Sequence, residues 1–191
     1  MEKPKKSGSA LFMYAVIALT IAVSGVCFIL YYGNIAPRGG VLWAGIVAFM
    51  ILYHFWLRII MGNVNKFFPI RKEHGWFQPR AFEKPLYRFL RVKRWKDKAL
   101  TYNPEAFDLQ KHSLEEVADT MAKSEFDHWV NEIISLVSIL FSLLWGEFWI
   151  FLLTAIFAML FDAQFIVIQR YNRPNVLRIL EKQRQRALAR A

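Results

Sequence analysis

Residues 10–32 carry no charged side chain in 23 consecutive positions. A helix rises 1.5 Å per residue, so a run of that length reaches about 35 Å and exceeds the ~30 Å hydrocarbon core of a bilayer. In hydrocarbon each backbone N–H and C=O must be satisfied within the segment, and for one isolated run only a helix achieves this. The run also outlasts the ~7–15-residue apolar stretch of a signal peptide. Ser24-Gly25-Val26 ahead of Cys27 makes no convincing cleavage or lipidation signal, so the segment is read as retained. Further apolar runs follow at about 41–61, 129–145 and 148–168. The expected fold is an all-α membrane protein with four transmembrane helices in two hairpins, forming a single integral membrane domain over 1–191.

Turn chemistry marks the joints. Gly33-Asn34-Ile35-Ala36-Pro37-Arg38-Gly39-Gly40 closes the first hairpin and Gly146-Glu147 the second. Between the hairpins lies a polar, aromatic and basic segment, 62–127, punctuated by Pro69, Pro79, Pro85 and Pro104. Within it Ser113-Leu114-Glu115-Glu116 has a cap residue and an acid three positions later, which predicts a helix start. That helix can continue through Val117, Met121 and Glu125 into the third run. Pro174 is expected to close the fourth. Beyond it, 175–191 alternates Leu177, Leu180, Ala187 and Leu188 with Arg178, Lys182, Arg184, Arg186 and Arg190, the pattern of a basic amphipathic helix on a charged membrane face.

Charge gives the orientation. The chain is 55% hydrophobic with mean hydropathy +0.24, yet its formal net charge is +10, so apolar and basic residues are segregated in blocks. Lys and Arg number 3 in the N-terminal tail, 13 in the central segment and 7 from Gln169 onward, against 1 and 0 in the two hairpin turns. An even number of spans puts the three basic segments on one side. The positive-inside rule makes that side the cytoplasm, so a multi-pass protein of the cell membrane with both termini cytoplasmic is expected. Anionic lipid head groups are the natural partners of this excess, and no nucleic-acid partner is expected. A single cysteine permits neither a disulfide framework nor a cysteine-based metal site, and no metal site is expected.

Polar residues concentrate in four places. At the start of the third span, Glu125 and His128 stand three apart on one helix face, the spacing of a base and its orienting carboxylate; the same residues also suit an interfacial helix start with Trp129 in the aromatic belt. His54, Arg58 and Asp162 are intramembrane polar groups, and Asp162 could pair with either of the other two. Gln169-Arg170-Tyr171-Asn172-Arg173-Pro174 offers two guanidinium forks and an amide, fit for phosphate or carboxylate, or for an ordinary Arg-Tyr anchor. Arg91-Val92-Lys93-Arg94-Trp95-Lys96-Asp97-Lys98 is a basic run with an embedded Trp that suits lipid head groups.

Three of these strings, Val92 to Lys98, Glu125-x-x-His128-Trp129 and Val167 to Pro174, occur in an order that resembles the glycosyl-4,4'-diaponeurosporenoate acyltransferase family. The resemblance covers about 82–180, and it departs from the family pattern at Asp127, Asp162 and Asn175-Val176. It implies a small membrane enzyme of staphyloxanthin-type carotenoid synthesis that esterifies a sugar hydroxyl of a glycosylated carotenoid with a fatty acyl chain. It further implies acyl-CoA or acyl-carrier protein as co-substrate, no bound cofactor, and a glycosylated lipid as acceptor. On that reading His128 and Glu125 are catalytic, while Arg170, Asn172, Arg173, Lys93, Arg94 and Trp95 bind substrate. The competing expectations are a non-enzymatic membrane subunit that binds anionic lipids or a partner membrane protein, and, more weakly, a small-solute transporter, for which four spans without a discontinuous helix pair are a poor fit.

Overall fold

A computed structural model describes residues 8–64, 67–99 and 103–190. The tail lysines Lys3, Lys5 and Lys6, and Lys66, lie outside the described residues. The described residues form helices and turns only: α1 (Gly8–Tyr32), α2 (Gly39–Val64), α3 (Glu83–Phe89), α4 (Val92–Trp95), α5 (Leu114–Val137), α6 (Ser142–Trp145) and α7 (Phe148–Leu188). Four stretches among them are long and apolar enough to cross a membrane: α1, α2, Leu114–Trp145 and α7. The chain is a multi-pass, all-helical membrane protein. Its residues group into two compact units, Met1–Val64 with Val130–Asp162, and Asn65–Trp129 with Ala163–Ala191, and α5 and α7 contribute to both.

In the first unit α1 and α2 pack closely because Gly45 has no side chain: a Cβ there would come within 3.0 Å of Cys27 Cβ and of the Phe28 ring. Its core is Ile46, Met50 and Phe151, all fully buried, with Phe28, Phe49, Tyr53, Phe141 and Trp145 around them. Trp145 lies between two rings, stacked on Phe28 at 5.9 Å and on Phe151 at 5.8 Å, and its indole N–H donates to the Tyr32 hydroxyl at 2.9 Å. The third span tightens into a 3-10 turn over Ser138–Phe141, where the Ser138 hydroxyl donates to the Ser135 carbonyl at 2.6 Å. Gly146 then adopts the left-handed conformation (φ 72°) that an L side chain resists, which lets two residues reverse the chain into α7. Large apolar side chains such as Leu19, Ile29, Leu143, Trp149 and Phe157 stay exposed, as lipid-facing residues of spans must.

The second unit contains a 3-10 turn (Gly75–Phe77), α3, α4, the first part of α5 and the last part of α7. The helix start expected at Ser113 is present as a reciprocal cap. Glu116 N–H donates to Ser113 Oγ at 3.2 Å, and Ser113 N–H donates to Glu116 Oε2 at 2.8 Å. Lys72 is buried beside α5 and donates to both oxygens of Asp119 at 3.1 Å. Burial alone would lower its ammonium pKa, but Asp119 and Glu73 reverse this and the net shift is upward.

One expectation is corrected. Pro174 does not close the fourth helix, for α7 continues unbroken to Leu188, so the basic stretch after it extends the same helix. Proline removes the N–H that would have bonded the Arg170 carbonyl and crowds that carbonyl. The helix persists because the turn around Pro174 is held from outside by the side chains of Arg170 and Arg173.

Candidate functional site

The string Arg170 to Arg173 is the centre of the second unit. Arg170 and Arg173 lie three apart, on one face of α7. Facing residues supply two buried carboxylates, Glu83 at the start of α3 and Glu125 in α5, together with three successive carbonyls from Trp76, Phe77 and Gln78. Arg170 Nε donates to Glu83 Oε1 at 2.9 Å, and one Nη2 hydrogen reaches the same oxygen. Its Nη1 donates to Glu125 Oε1 at 2.6 Å and to the Trp76 carbonyl at 3.0 Å, and Nη2 also reaches the Gln78 carbonyl at 3.0 Å. A guanidinium has five N–H donors, and all five are used.

Arg173 completes the group. Its Nη1 donates to Glu125 Oε2 at 2.6 Å, its Nη2 to the Phe77 carbonyl, and its charge sits over the Phe77 ring at 5.3 Å. The residue is only 2% exposed and Glu125 is fully buried. Two arginines and two glutamates cancel, so no net charge is buried, and the charge-assisted bonds offset the desolvation that a buried pair must overcome. The Tyr87 hydroxyl donates to Glu83 Oε2 at 2.9 Å. Burial pushes that phenol pKa up and the neighbouring carboxylate adds to the rise, which keeps the donor proton in place.

This arrangement changes the roles expected from sequence. The carboxylate of Glu125 is engaged by Arg170, Arg173 and, at 3.3 Å, the Trp129 indole N–H. The His128 ring instead stacks on Phe165 of α7, centroids 4.7 Å apart and planes within 11°. Arg170 has all five donors on protein acceptors, and Arg173 has one donor each from Nη1 and Nη2 so engaged. Asn172 is half-buried between them in sequence.

The basic Trp string is presented differently. Arg91 takes a left-handed conformation (φ 50°) that separates α3 from α4, and Val92 is fully buried as the anchor of α4. Trp95 donates its indole N–H to the Leu90 carbonyl at 2.9 Å. Lys93 and Arg94 are exposed, and among the described residues no ion pair engages either.

The intramembrane polar residues form a separate cluster in the first unit. Asp162 is fully buried and accepts from Arg58 Nη2 and, at 3.4 Å, from Asn131 Nδ2. Of its two expected partners, Arg58 is in direct contact with it. Arg58 also donates to the carbonyls of His54 (2.7 Å) and Ala158 (3.2 Å). His54 is 7% exposed, with Nδ1 3.4 Å from the Ser135 hydroxyl. His54 Nε2, Arg58 Nε and Asn131 Oδ1 are buried with no hydrogen-bond partner among the described residues.

Sequence reasoning missed several members of both clusters. Asn131, Ser135 and Ser138 recur every three to four positions within an apolar run, a polar stripe that could have flagged them. Glu83 and the carbonyls of residues 76–78 gave no such signal. Their partner is about ninety residues away, and nothing in local spacing points to it.

The model of the glycosyl-4,4'-diaponeurosporenoate acyltransferase family matches residues 73–182. Compared with curated proteins and with solved structures, the chain finds no match. The matched stretch covers more than half of the sequence and encloses the whole arginine–glutamate group, His128 and the Lys93-Arg94-Trp95 string. The chain is therefore a member of the glycosyl-4,4'-diaponeurosporenoate acyltransferase family.

Proposed function

We propose that this protein esterifies a sugar hydroxyl of a glycosylated carotenoid, or of another glycolipid, with a fatty acyl chain taken from acyl-CoA or acyl-carrier protein. The observation that carries the reading is the family match over residues 73–182. A membrane acyltransferase of carotenoid biosynthesis follows from that membership; the donor, the acceptor and the residue roles are our own reading. In it His128 is the general base. The imidazole takes the proton from the sugar hydroxyl as its oxygen attacks the thioester carbonyl. The tetrahedral intermediate then collapses, the carbon–sulfur bond breaks, and the imidazolium returns the proton to the departing thiolate.

Lys93 and Arg94 are exposed cations without an ion-pair partner among the described residues, and in this reading they meet the phosphates of the donor, while Trp95 and Asn172 are further substrate contacts. Arg170, Arg173 and Glu125 are positioning residues that fix α5 and α7, the helices carrying His128 and Phe165. The Lys and Arg distribution supports a cytoplasmic position for this face, where activated acyl groups are available.

The test is transfer of a labelled acyl group by protein purified in detergent. His128→Ala is expected to lower kcat on the order of 100-fold or more with its melting temperature retained. Full activity in that variant would remove His128 as the base. Mass spectrometry of lipids from a deletion strain is expected to show the unacylated glycolipid accumulating. An unchanged lipid profile would instead support the non-enzymatic subunit.

A further inference from the structure

Exposed apolar side chains on the spans need only lipid tails as neighbours, as around a groove of about 350 Å³ in the first unit lined by Val47, Phe157 and Phe161. The helix α3 is a different case. Its seven residues reach about 10 Å, far too short to cross a bilayer. Yet its apolar residues are outside: Phe82 and Phe89, at its two ends, are 60% and 83% exposed, and Leu86 and Leu90 are exposed with them. At 3.6 residues per turn these four positions share one stripe. The polar side chains are turned inward, where Glu83 bonds Arg170 and Tyr87 packs on Tyr171 of α7. An amphipathic helix with its acid inside and its hydrocarbon outside needs an apolar medium against that outer face.

Position says which medium. The fourth apolar run ends at Ile168, and Arg170 and Tyr171 follow within about 5 Å along the same helix. Glu83 accepts from Arg170 Nε at 2.9 Å and the Tyr87 and Tyr171 rings lie 5.4 Å apart, so α3 is held at the level where α7 leaves hydrocarbon. That level is the depth at which interfacial amphipathic helices lie. Charge then selects the lipid. Residues 80–91 carry four exposed cations, Arg80, Lys84, Arg88 and Arg91, and a single acid, Glu83, which Arg170 already holds. A second copy of the chain seated on this stripe would bring those cations against their own kind, whereas an anionic leaflet complements them.

We infer that α3 is an interfacial foot whose Phe82, Leu86, Phe89 and Leu90 face is inserted among the glycerol and upper acyl segments of an anionic leaflet, with the surrounding cations matched to its phosphates. Charge alone calls for contact with head groups; the stripe adds penetration, at a helix that the basic Trp string does not include. The foot needs no turnover and leaves Lys93 and Arg94 to the acyl donor.

The experiment uses the full-length protein with Cys27→Ala, which removes the native thiol and keeps the Cβ against which Gly45 packs, in vesicles of phosphatidylglycerol and phosphatidylcholine. Single cysteines from Phe89→Cys, Phe82→Cys or Lys84→Cys carry an NBD dye, and each labelled protein is checked for an unchanged melting temperature. Lys84 lies on the opposite side of α3 from the stripe. Phosphatidylcholine with a doxyl group high on its acyl chain is expected to quench positions 89 and 82 roughly threefold more than position 84, and aqueous iodide to quench in the reverse order. In Arg88→Gln the phosphatidylglycerol fraction for half-maximal lipid quenching at position 89 should rise about fivefold, the factor one cation contributes at a charged membrane surface. Equal lipid quenching at positions 89 and 84, or free access of iodide to position 89, would overturn the insertion. Nitroxides at position 89 that broaden one another's spectra at low protein-to-lipid ratio would put a second copy on the stripe and overturn it as well. Full lipid quenching without phosphatidylglycerol would overturn the anionic assignment. Insertion by a protein that transfers no acyl group would leave the inference standing and sink the acyltransferase reading.

Discussion

The two buried ionic groups are built from the same side chains and end in opposite conditions. In Arg170, Arg173, Glu83 and Glu125 the donors of Arg170 are all used, both Glu125 oxygens accept, and the charges cancel. In Arg58 and Asp162 the charges also cancel, yet Arg58 Nε, His54 Nε2 and Asn131 Oδ1 stay without partners. A guanidinium with every donor in use, as in Arg170, ties together the elements that supply its acceptors. An unsaturated group in an apolar setting is costly unless something else completes it. The arginine string is thus the closed group, and the Arg58–Asp162 pair is the one with unpartnered buried atoms around it.

That contrast can be broken by substitution. Glu125→Ala leaves the buried Arg173 without a carboxylate partner and Arg170 with Glu83 alone, and is expected to cost roughly 4 kcal/mol, close to the upper end for breaking a buried pair. Unfolding in mixed micelles should show it as loss of folded protein. Asp162→Ala strands only Arg58, which is 12% exposed and can reach toward the interface, so a smaller loss of about 3 kcal/mol is expected. A larger loss for Asp162→Ala than for Glu125→Ala would reverse the assignment of closed and open groups.

Lys72 supplies the mild end of the scale, because its partners Glu73, Glu115 and Asp119 are 66%, 55% and 34% exposed. Lys72→Met is expected to cost about 1 kcal/mol at neutral pH. The sign of the pH effect follows from the upward shift. A folded pKa above the ordinary 10.5 stabilises in full below 10.5 and is lost as pH climbs through the raised value. Wild-type and variant melting curves should therefore stay apart through neutral pH and converge only in strongly alkaline solution.

The parts of the fold governed by local pattern were legible. The 23-residue uncharged run became α1, Gly146-Glu147 became a two-residue reversal, and Ser113 with Glu116 became a reciprocal cap. Pro174 misled because its penalty is local while its compensation comes from side chains paired to residues far away in sequence. The same holds for Glu125. Spacing offered it His128 one turn away, but Arg170 and Arg173 bind it across forty-five residues or more. The intramembrane acid was easier to pair, since few cations exist inside a span and Arg58 was one of two candidates.

The rim of the groove in the first unit has a kinetic consequence. Val47, Phe157 and Phe161 are exposed apolar residues on spans, so that rim opens to lipid rather than to water. Any molecule that enters it from the bilayer arrives by lateral diffusion in the plane of the membrane. Occupancy then depends on the mole fraction of the occupant among the surrounding lipids, and adding inert lipid or detergent at constant total concentration dilutes the site's supply as surely as removing the molecule itself.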